Sequence, residues 1–262
     1  MEKGKCKLCL KEDVKLLSRS HIIPKFLFED MKDENNSFVQ IEPNKYVKGR
    51  TQHIKKPRDA FHEPDILCEK CDGIIIKRYE DYLKLVFHST SNSISRPKFI
   101  KRIPDNRGFN ILFIENLDYK LYKLGFLSIL WRASISKLSF FRLVNLGPHS
   151  EVIRKMLLEG MALDIDDYPF FTSFLNQRND EYQIVLPITK FKMEKYTHYR
   201  FIINGLDLMF MIGSKDLKLT ESLLNYIPKP NGELQAIEHK ENYGKKLFQS
   251  ILLNSNDKRP KY

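Results

Sequence analysis

The cysteines of this chain form two matched pairs. Cys6 and Cys9 lie in the segment CKLC, Cys68 and Cys71 lie in CEKC, and the sequence contains no other cysteine. Two residues between paired cysteines is the spacing with which a short loop presents two thiolates to one tetrahedral metal ion. We therefore predict one structural Zn²⁺ site, closed by all four cysteines, that contributes folding free energy rather than catalysis. A redox-active pair and a coincidental spacing are the alternatives that the sequence leaves open.

A histidine lies close behind the first pair. His21 stands in the run SHIIP, near the end of a predicted strand that Pro24 stops, and a short helix is predicted over residues 26–34. The second pair opens a predicted amphipathic helix, because apolar residues recur at helical spacing after it, at Ile75, Tyr79, Tyr82, Leu83 and Val86. A knuckle, a hairpin and a helix that begins with the second ligand pair make up a treble-clef zinc finger. The 58 residues between Cys9 and Cys68 predict a substantial insertion within it.

The sequence carries a basic excess that favours a polyanionic partner. Its net charge is +11, and residues 1–104 hold 22 Lys and Arg against 15 Asp and Glu. Residues 45–58 hold six basic side chains and no acidic one. Such a surface binds nucleic acid by releasing counterions from the phosphates, and a plain surface hairpin is the alternative. We expect nucleic-acid contacts from Lys25, Arg50, Lys55, Lys56 and Arg58.

A polar stretch divides the chain. Residues 89–108 are polar and contain two prolines, so we place a domain boundary there, between residues 1–104 and 105–262. Asn204-Gly205 between two apolar runs predicts a tight hairpin. The other elements predicted downstream are a strand in FNILFIENL, a helix over about residues 119–138, a helix in SEVIRKMLLEGM, a strand in YQIVLPITKF and a final helix over about residues 233–253. The expected fold class is α+β, with a treble-clef finger followed by an α+β domain of long helices and an antiparallel sheet.

Nothing in the sequence predicts a membrane span. The longest apolar run, residues 124–131, is far shorter than the roughly 20 residues that a spanning helix needs. The first residues alternate charges with cysteines and lack the pattern of a secretory signal peptide. We therefore expect a cytoplasmic protein, in which paired cysteines bind metal rather than form disulfides.

The motifs CKLC, SHIIP and ILCEKCD together resemble the HNH nuclease superfamily, also called ββα-metal or His-Me finger nucleases, over about residues 1–88. The resemblance implies a metal-dependent endonuclease that hydrolyses phosphodiester bonds of DNA, with RNA as a further candidate. Carried over by position, its three site residues are His21, Glu63 and Asp72. Stand-alone bacterial fingers of this kind tend to occur in restriction and anti-phage defence, so a defence role is an expectation from the same resemblance.

The chemistry of phosphodiester hydrolysis suits these residue types. A neutral imidazole can deprotonate water, which gives His21 the role of general base. One divalent ion, Mg²⁺ or Mn²⁺, offsets charge on the phosphate and the departing oxygen, and carboxylates bind such hard cations. Asp72 is then the expected main ligand, while Glu63 would orient His21 or contribute to the metal site, with Asp65 as the rival if the register differs by two. His62 adjoins Glu63 and could contact phosphate, but neighbouring strand residues face opposite ways, so it is a weaker candidate.

Three positions depart from the family's pattern. Many HNH enzymes have aspartate directly before the histidine, where this chain has Ser20. They commonly have asparagine at the middle position and asparagine or histidine after the second knuckle, where this chain has Glu63 and Asp72. One interpretation is that the carboxylate has moved from one end of the site to the other. The alternatives are a zinc-containing nucleic-acid-binding or scaffold protein without catalysis, and a nuclease subunit held inactive until a partner engages residues 105–262.

The second half gives fewer indications of function. The segments LSILWRASIS and LGPHSEVIRKML resemble the C-terminal part of bacterial proteins that begin with the same kind of finger, which implies no activity. Residues 105–262 are expected to select the target, form oligomers or bind a partner subunit. Arg132 lies in an apolar helix, and a buried arginine is rarely unpaired. We predict a buried carboxylate as its partner, with a phosphate or a partner protein as the alternative.

Overall fold

The computed structural model describes residues 3–41, 54–88, 97–175, 184–213 and 219–240, together with Tyr243, Lys246 and Leu247. Arg50, one of the predicted nucleic-acid contacts, lies outside these residues. Among the helices of the described residues, none combines the length and the apolar content that crossing a bilayer requires.

Short elements make up the N-terminal third. A 3₁₀ helix spans Lys25–Met31, and a π-helical turn at Cys71–Ile76 runs directly into helix α1 (Lys77–His88). The strands are β1 (Lys3–Gly4), β2 (Val14–Lys15), β3 (Ser20–His21), β4 (Val39–Ile41), β5 (Ile54–Lys55) and β6 (His62–Glu63). β1 pairs antiparallel with β2, and β3 pairs antiparallel with β6. Because the helical turn begins at Cys71 and continues into α1, the predicted helix at the second cysteine pair is confirmed.

Longer elements follow. The helices are α2 (Tyr119–Ile135), a 3₁₀ turn (Ser139–Phe141), α3 (His149–Glu159) and α4 (Glu221–Leu224). The strands are β7 (Lys98–Pro104), β8 (Phe109–Glu115), β9 (Phe170–Leu175), β10 (Ile184–Met193), β11 (Tyr196–Ile203), β12 (Leu206–Ile212) and β13 (Leu234–His239). The described chain is thus a mixed α+β fold.

Nine strands of the described chain form one sheet, in the order β5-β4-β10-β11-β12-β9-β13-β8-β7. Its pairs are antiparallel except β4 with β10 and β9 with β13. The predicted hairpin is confirmed, because Asn204 and Gly205 connect β11 to β12 with φ angles of 50° and 73°. Two successive positive φ angles are those of the type I′ turn that this dipeptide favours.

Helix α2 lies at the centre of the core. Every residue from Tyr122 to Ala133 is buried, and the Asp118 carboxylate accepts a hydrogen bond from Leu121 N at 2.8 Å to cap the helix. A Cβ at Gly125 would lie 2.7 Å from Cγ of Leu83, so this glycine lets α1 approach α2 closely.

The two predicted segments share this core. One cluster of buried residues contains Phe28 and Leu83 from the first segment and Trp131 and Tyr199 from the second. Strands β4 and β5 extend the sheet whose other strands follow residue 97. The boundary at residue 104 stays an assignment from sequence, and packing of the described residues continues across it.

The prediction of a final helix over residues 233–253 is wrong at its start, where β13 lies. Leu234 and Ala236 are buried and alternate with half-exposed Gln235 and Ile237, which is the period of a strand. β13 inserts between β8 and β9. The backbone partners that make this segment a strand are more than 50 residues away, so local periodicity could not reveal them.

Candidate metal centre and histidine site

The four cysteines converge on one point. The Sγ atoms of Cys6, Cys9, Cys68 and Cys71 all lie within 4.8 Å of one another, and none of these residues is in a disulfide. A tetrahedral Zn²⁺ with Zn–S distances of about 2.3 Å sets its sulfur ligands roughly 3.8 Å apart. The cluster could therefore hold a zinc ion.

Backbone hydrogen bonds hold the two cysteine loops against each other. Leu10 N donates to the carbonyl oxygen of Cys6 at 2.9 Å, which closes the first loop. Cys68 N donates to Sγ of Cys6 at 3.4 Å, which joins the second loop to the first. The side chain of Cys71 is the largest of the influences that lower the pKa of Cys6 to about 4. Burial raises the pKa of Cys68, and the Cys6 side chain together with burial raises the pKa of Cys71, so of these three thiols only Cys6 favours the ionised form that binds a metal.

Strands β3 and β6 carry the candidate histidine. Their register pairs Ser20 with Glu63 and His21 with His62, and residues directly opposite each other in an antiparallel pair share one face. Ser20 and Glu63 are buried, whereas His21 and His62 are half-buried and reach solvent. The two imidazoles therefore lie on one face, with ring centroids 6.2 Å apart, and Glu63 lies on the other.

Asp59 lies beside both imidazoles. Its Oδ1 is 3.9 Å from Nε2 of His21 and its Oδ2 is 3.6 Å from Nδ1 of His62, and Arg19 forms an ion pair with the same carboxylate. Nδ1 of His62 lies 2.9 Å from the carbonyl oxygen of Ala60, which favours a proton on Nδ1 and leaves Nε2 able to accept. Sequence reasoning missed Asp59 and ranked His62 as a weaker candidate, because only the register with β3 reveals which residue of β6 faces His21.

Glu63 binds the end of helix α2. Its carboxylate accepts hydrogen bonds from the Ser136 hydroxyl and, at 3.0 Å, from Lys137 N. Its rival Asp65 lies in an exposed turn with a φ of 60°. The structure thus brings Glu63 to α2 rather than to the ring of His21, and its carboxylate fixes β6 to that helix.

Asp72 lies in the π-helical turn, half-buried. Burial raises the pKa of Asp72, while Arg132 lowers it and Glu80 raises it. The Ser20 hydroxyl lies close enough to favour the charged carboxylate, although its buried Oγ makes no hydrogen bond of ordinary geometry within the described part of the chain. The predicted metal ligand therefore shares its surroundings with a second carboxylate, a guanidinium and an unsatisfied hydroxyl.

Arg132 links α2 to the strand of His21. Its side chain is 1% exposed, and its Nη1 donates to Oε1 of Glu80 and to the carbonyl oxygen of His21, both at 2.6 Å. Its Nη2 donates to Oγ of Ser128 at 3.2 Å. The predicted pairing of this arginine with a carboxylate is confirmed. A helix of the second segment thereby fixes the backbone that carries the candidate base.

The surroundings of His21 keep its ring neutral near neutral pH. Burial lowers the pKa of His21 below its ordinary value, Glu80 opposes this, and Arg132 reinforces it. The side chain remains 30% exposed. A neutral imidazole that solvent can reach is able to accept a proton from water.

The predicted nucleic-acid contacts within the described residues are exposed. Lys25, Lys55, Lys56 and Arg58 all face solvent. Lys56 lies 3.7 Å from Oδ2 of Asp33, so part of its charge is offset. Their exposure is compatible with phosphate contacts and equally with a surface hairpin.

Comparisons of the chain with protein-family models, with curated proteins and with solved structures find no match. Any assignment of function therefore depends on the geometry of the site and on the sequence motifs.

Proposed function

We propose that this protein is a metal-dependent endonuclease of the HNH type that hydrolyses phosphodiester bonds of DNA, with RNA as a further candidate substrate. The observation that carries the proposal is the juxtaposition on the β3–β6 pair. Two imidazoles and a carboxylate share its solvent-reaching face, beside a helix that begins at a four-cysteine cluster able to hold zinc. The helix that starts at the second cysteine pair agrees with the treble-clef interpretation, whereas the carboxylate beside His21 is Asp59 rather than the expected Glu63.

His21 acts as the general base in the proposed reaction. The Asp59 carboxylate near Nε2 favours the tautomer that carries its proton there, which leaves Nδ1 to accept a proton from the attacking water. Arg19 lies on the same side as Asp59 and supplies donors for phosphate oxygens. Asp59 thus takes the orienting role that the sequence suggested for Glu63.

The proposed divalent ion would need only a few protein ligands. Mg²⁺ usually keeps several waters and binds one or two carboxylates plus substrate phosphate, so a cluster of three protein ligands is not required. Asp72 would hold it, because its half-buried carboxylate lies near Arg132 and Glu80 at the start of the helix. Such an ion, when bound, offsets negative charge on the phosphate and the departing oxygen.

A catalytically silent nucleic-acid-binding module is the second candidate. It is favoured by Arg132, whose buried guanidinium already balances the negative charge near Asp72 and Glu80, and by Glu63, which is bound to α2. Because the Arg132 guanidinium already offsets the charge of these carboxylates, the fold does not need a metal ion to balance it. A role in restriction or anti-phage defence, and a partner for residues 105–262, stay predictions from the resemblance.

Plasmid nicking in Mg²⁺ or Mn²⁺ tests the base assignment. His21→Ala is expected to lower the cleavage rate by about 10²- to 10⁴-fold, the usual contribution of a general base, with zinc content unchanged. His149→Ala is the matched control, because His149 is also half-buried but lies in α3, bonded to Tyr168. Equal cleavage by wild type and His21→Ala would refute the assignment. DNA binding without cleavage in any metal would favour the silent module.

The pH dependence of cleavage gives a second test. Because the pKa of His21 is below the ordinary value of 6.5, the base is already deprotonated at neutral pH. Cleavage is expected to fall as the pH drops through that lowered pKa. From about pH 7 upward the rate should be level, because the imidazole of His21 is already fully deprotonated there. A rate that keeps rising tenfold per pH unit above pH 7 would contradict His21 as the base.

A further inference from the structure

The outer face of the sheet is exposed at β7 and largely half-buried at β8 and β13, where Tyr243 stacks on His239 with ring centroids 3.7 Å apart. Leu112 of β8 lies opposite buried Ala236, and Ile114 lies opposite buried Leu234. These residues mark the face that packs on the core. The intervening residues of β8 must therefore point away from it, and Phe113 and Phe109 are only half-buried there.

Cations lie over these outward phenylalanines. Lys101 is opposite Phe113 in the β7–β8 register, and its Nζ lies 4.4 Å from the ring centroid. The guanidinium of Arg107 lies 4.8 Å from the centroid of Phe109. β7 is exposed along its whole length, whereas the two rings are half-buried and each is partly covered by its cation.

Two basic side chains on β7 form no close ion pair among the described residues. Arg102 is paired with Glu238 and, in the turn after β7, Arg107 is paired with Asp105. Lys98 and Lys101 have no carboxylate within 4.0 Å in that part of the chain and both are exposed, although exposed Glu115 lies opposite Lys98 in the register. This part of the sheet therefore presents net positive charge beside aromatic rings, and it lies outside the histidine site and its predicted basic contacts.

We propose that this strip, composed of Lys98, Lys101, Phe109 and Phe113, binds single-stranded nucleic acid. Bases stack on aromatic side chains whatever their sequence, and lysines bind the phosphates between them. This inference takes only the class of partner, nucleic acid, from the proposed function. A duplex hides its base faces, so this platform favours unpaired segments over intact duplex.

Two other occupants suit the strip less well. A second copy that paired antiparallel along β7 would set Lys101 against its own copy, and like charges opposite each other destabilise a strand pair. Pro104 would also leave a gap in the hydrogen-bond ladder. A membrane surface needs its apolar anchors on one side, whereas exposed Phe99 and Ile103 lie on opposite faces of β7 according to their partners in β8.

Binding of a labelled 20-nucleotide oligodeoxythymidine tests the proposal, with the full-length His21→Ala chain in buffer without divalent ions so that cleavage cannot interfere. Lys98→Gln combined with Lys101→Gln is expected to weaken binding at least tenfold near 0.1 M salt and to lower the slope of log affinity against log salt by about 1.4. Phe113→Ala is expected to weaken binding about 5- to 100-fold, and Phe113→Trp to retain it. Lys120→Gln combined with Lys155→Gln, two exposed helix lysines, is the control.

Three results would overturn the proposal. These are unchanged binding in the strip variants at unchanged thermal midpoint, equal loss in the helix-lysine control, or equal affinity for single strand and duplex. Loss of binding to vesicles with 30% phosphatidylserine, without loss of oligonucleotide binding, would assign the strip to membranes instead. A change in molar mass by light scattering alone would assign it to self-association. If the strip variants bind normally while His21-dependent plasmid cleavage persists, only the strip proposal is rejected. If strip-dependent binding is found but no His21-dependent cleavage, the nuclease is rejected and the strip proposal stands.

Discussion

Replacing Cys71 with serine is expected to abolish zinc binding and to lower the thermal midpoint by more than about 10 °C. The four sulfurs converge from two loops that are 58 residues apart in sequence, where backbone hydrogen bonds such as Lys7 N to the Ile66 carbonyl oxygen at 2.9 Å also join the two segments. Metal bound by four thiolates contributes several kcal/mol or more to folding. Its loss should release the first knuckle from the start of α1 and, with it, the strand of His21.

Elemental analysis and thermal unfolding measure this effect. The wild-type chain should contain one zinc per molecule, and a strong chelator should reproduce the shift seen in Cys71→Ser. Lys70→Ser is the matched control, because Lys70 is exposed between the two cysteines and binds nothing in the cluster. A chain without zinc, or with zinc whose removal leaves the midpoint in place, would contradict the structural role. Fewer than four titratable thiols after denaturation would favour the redox alternative.

Arg132→Met is expected to lower the free energy of unfolding by about 3–5 kcal/mol. The substitution strands the Glu80 carboxylate, which is 24% exposed, and leaves the carbonyl oxygen of His21 without its donor. An unpaired buried acceptor and a partly buried unpaired charge both cost free energy. The methionine fills much of the volume, so the loss reports the polar contacts rather than a cavity.

Urea unfolding of single and double variants measures the contribution of the pair. Arg132→Met combined with Glu80→Gln should recover part of the loss, because no charge is then left unpaired. Lys77→Met provides the control, since Lys77 and Asp81 form an exposed pair at 2.7 Å and its removal should cost less than about 0.5 kcal/mol. Equal losses for Arg132→Met and Lys77→Met would show that the buried contacts do not stabilise the fold. Arg132→Lys should fall short of wild type, because one ammonium cannot reproduce the forked contacts of a guanidinium.

Local patterns predicted much of the secondary structure. The Asn204-Gly205 turn, the helix after Cys71 and the apolar helix α2 all form where the sequence places them, because each depends on residues that are neighbours in sequence. β13 was assigned to a helix, since its strand partners β8 and β9 lie far away in sequence. Long-range pairing can override a local preference, and no window of sequence contains the partner.

The candidate site likewise divides into features that local sequence predicts and features that depend on long-range packing. Residue type and spacing were enough to single out the four cysteines that could hold zinc, together with His21 and Arg132, because they limit which groups can bind a metal or remain buried. Long-range packing brings Asp59 and His62 beside His21, Glu63 to α2, and Arg132 to Glu80 and the carbonyl oxygen of His21. The reason is that successive side chains of a strand point to opposite faces of the sheet. A register difference of one residue exchanges the two faces, and that register is set by packing against a helix some 70 residues later in the chain.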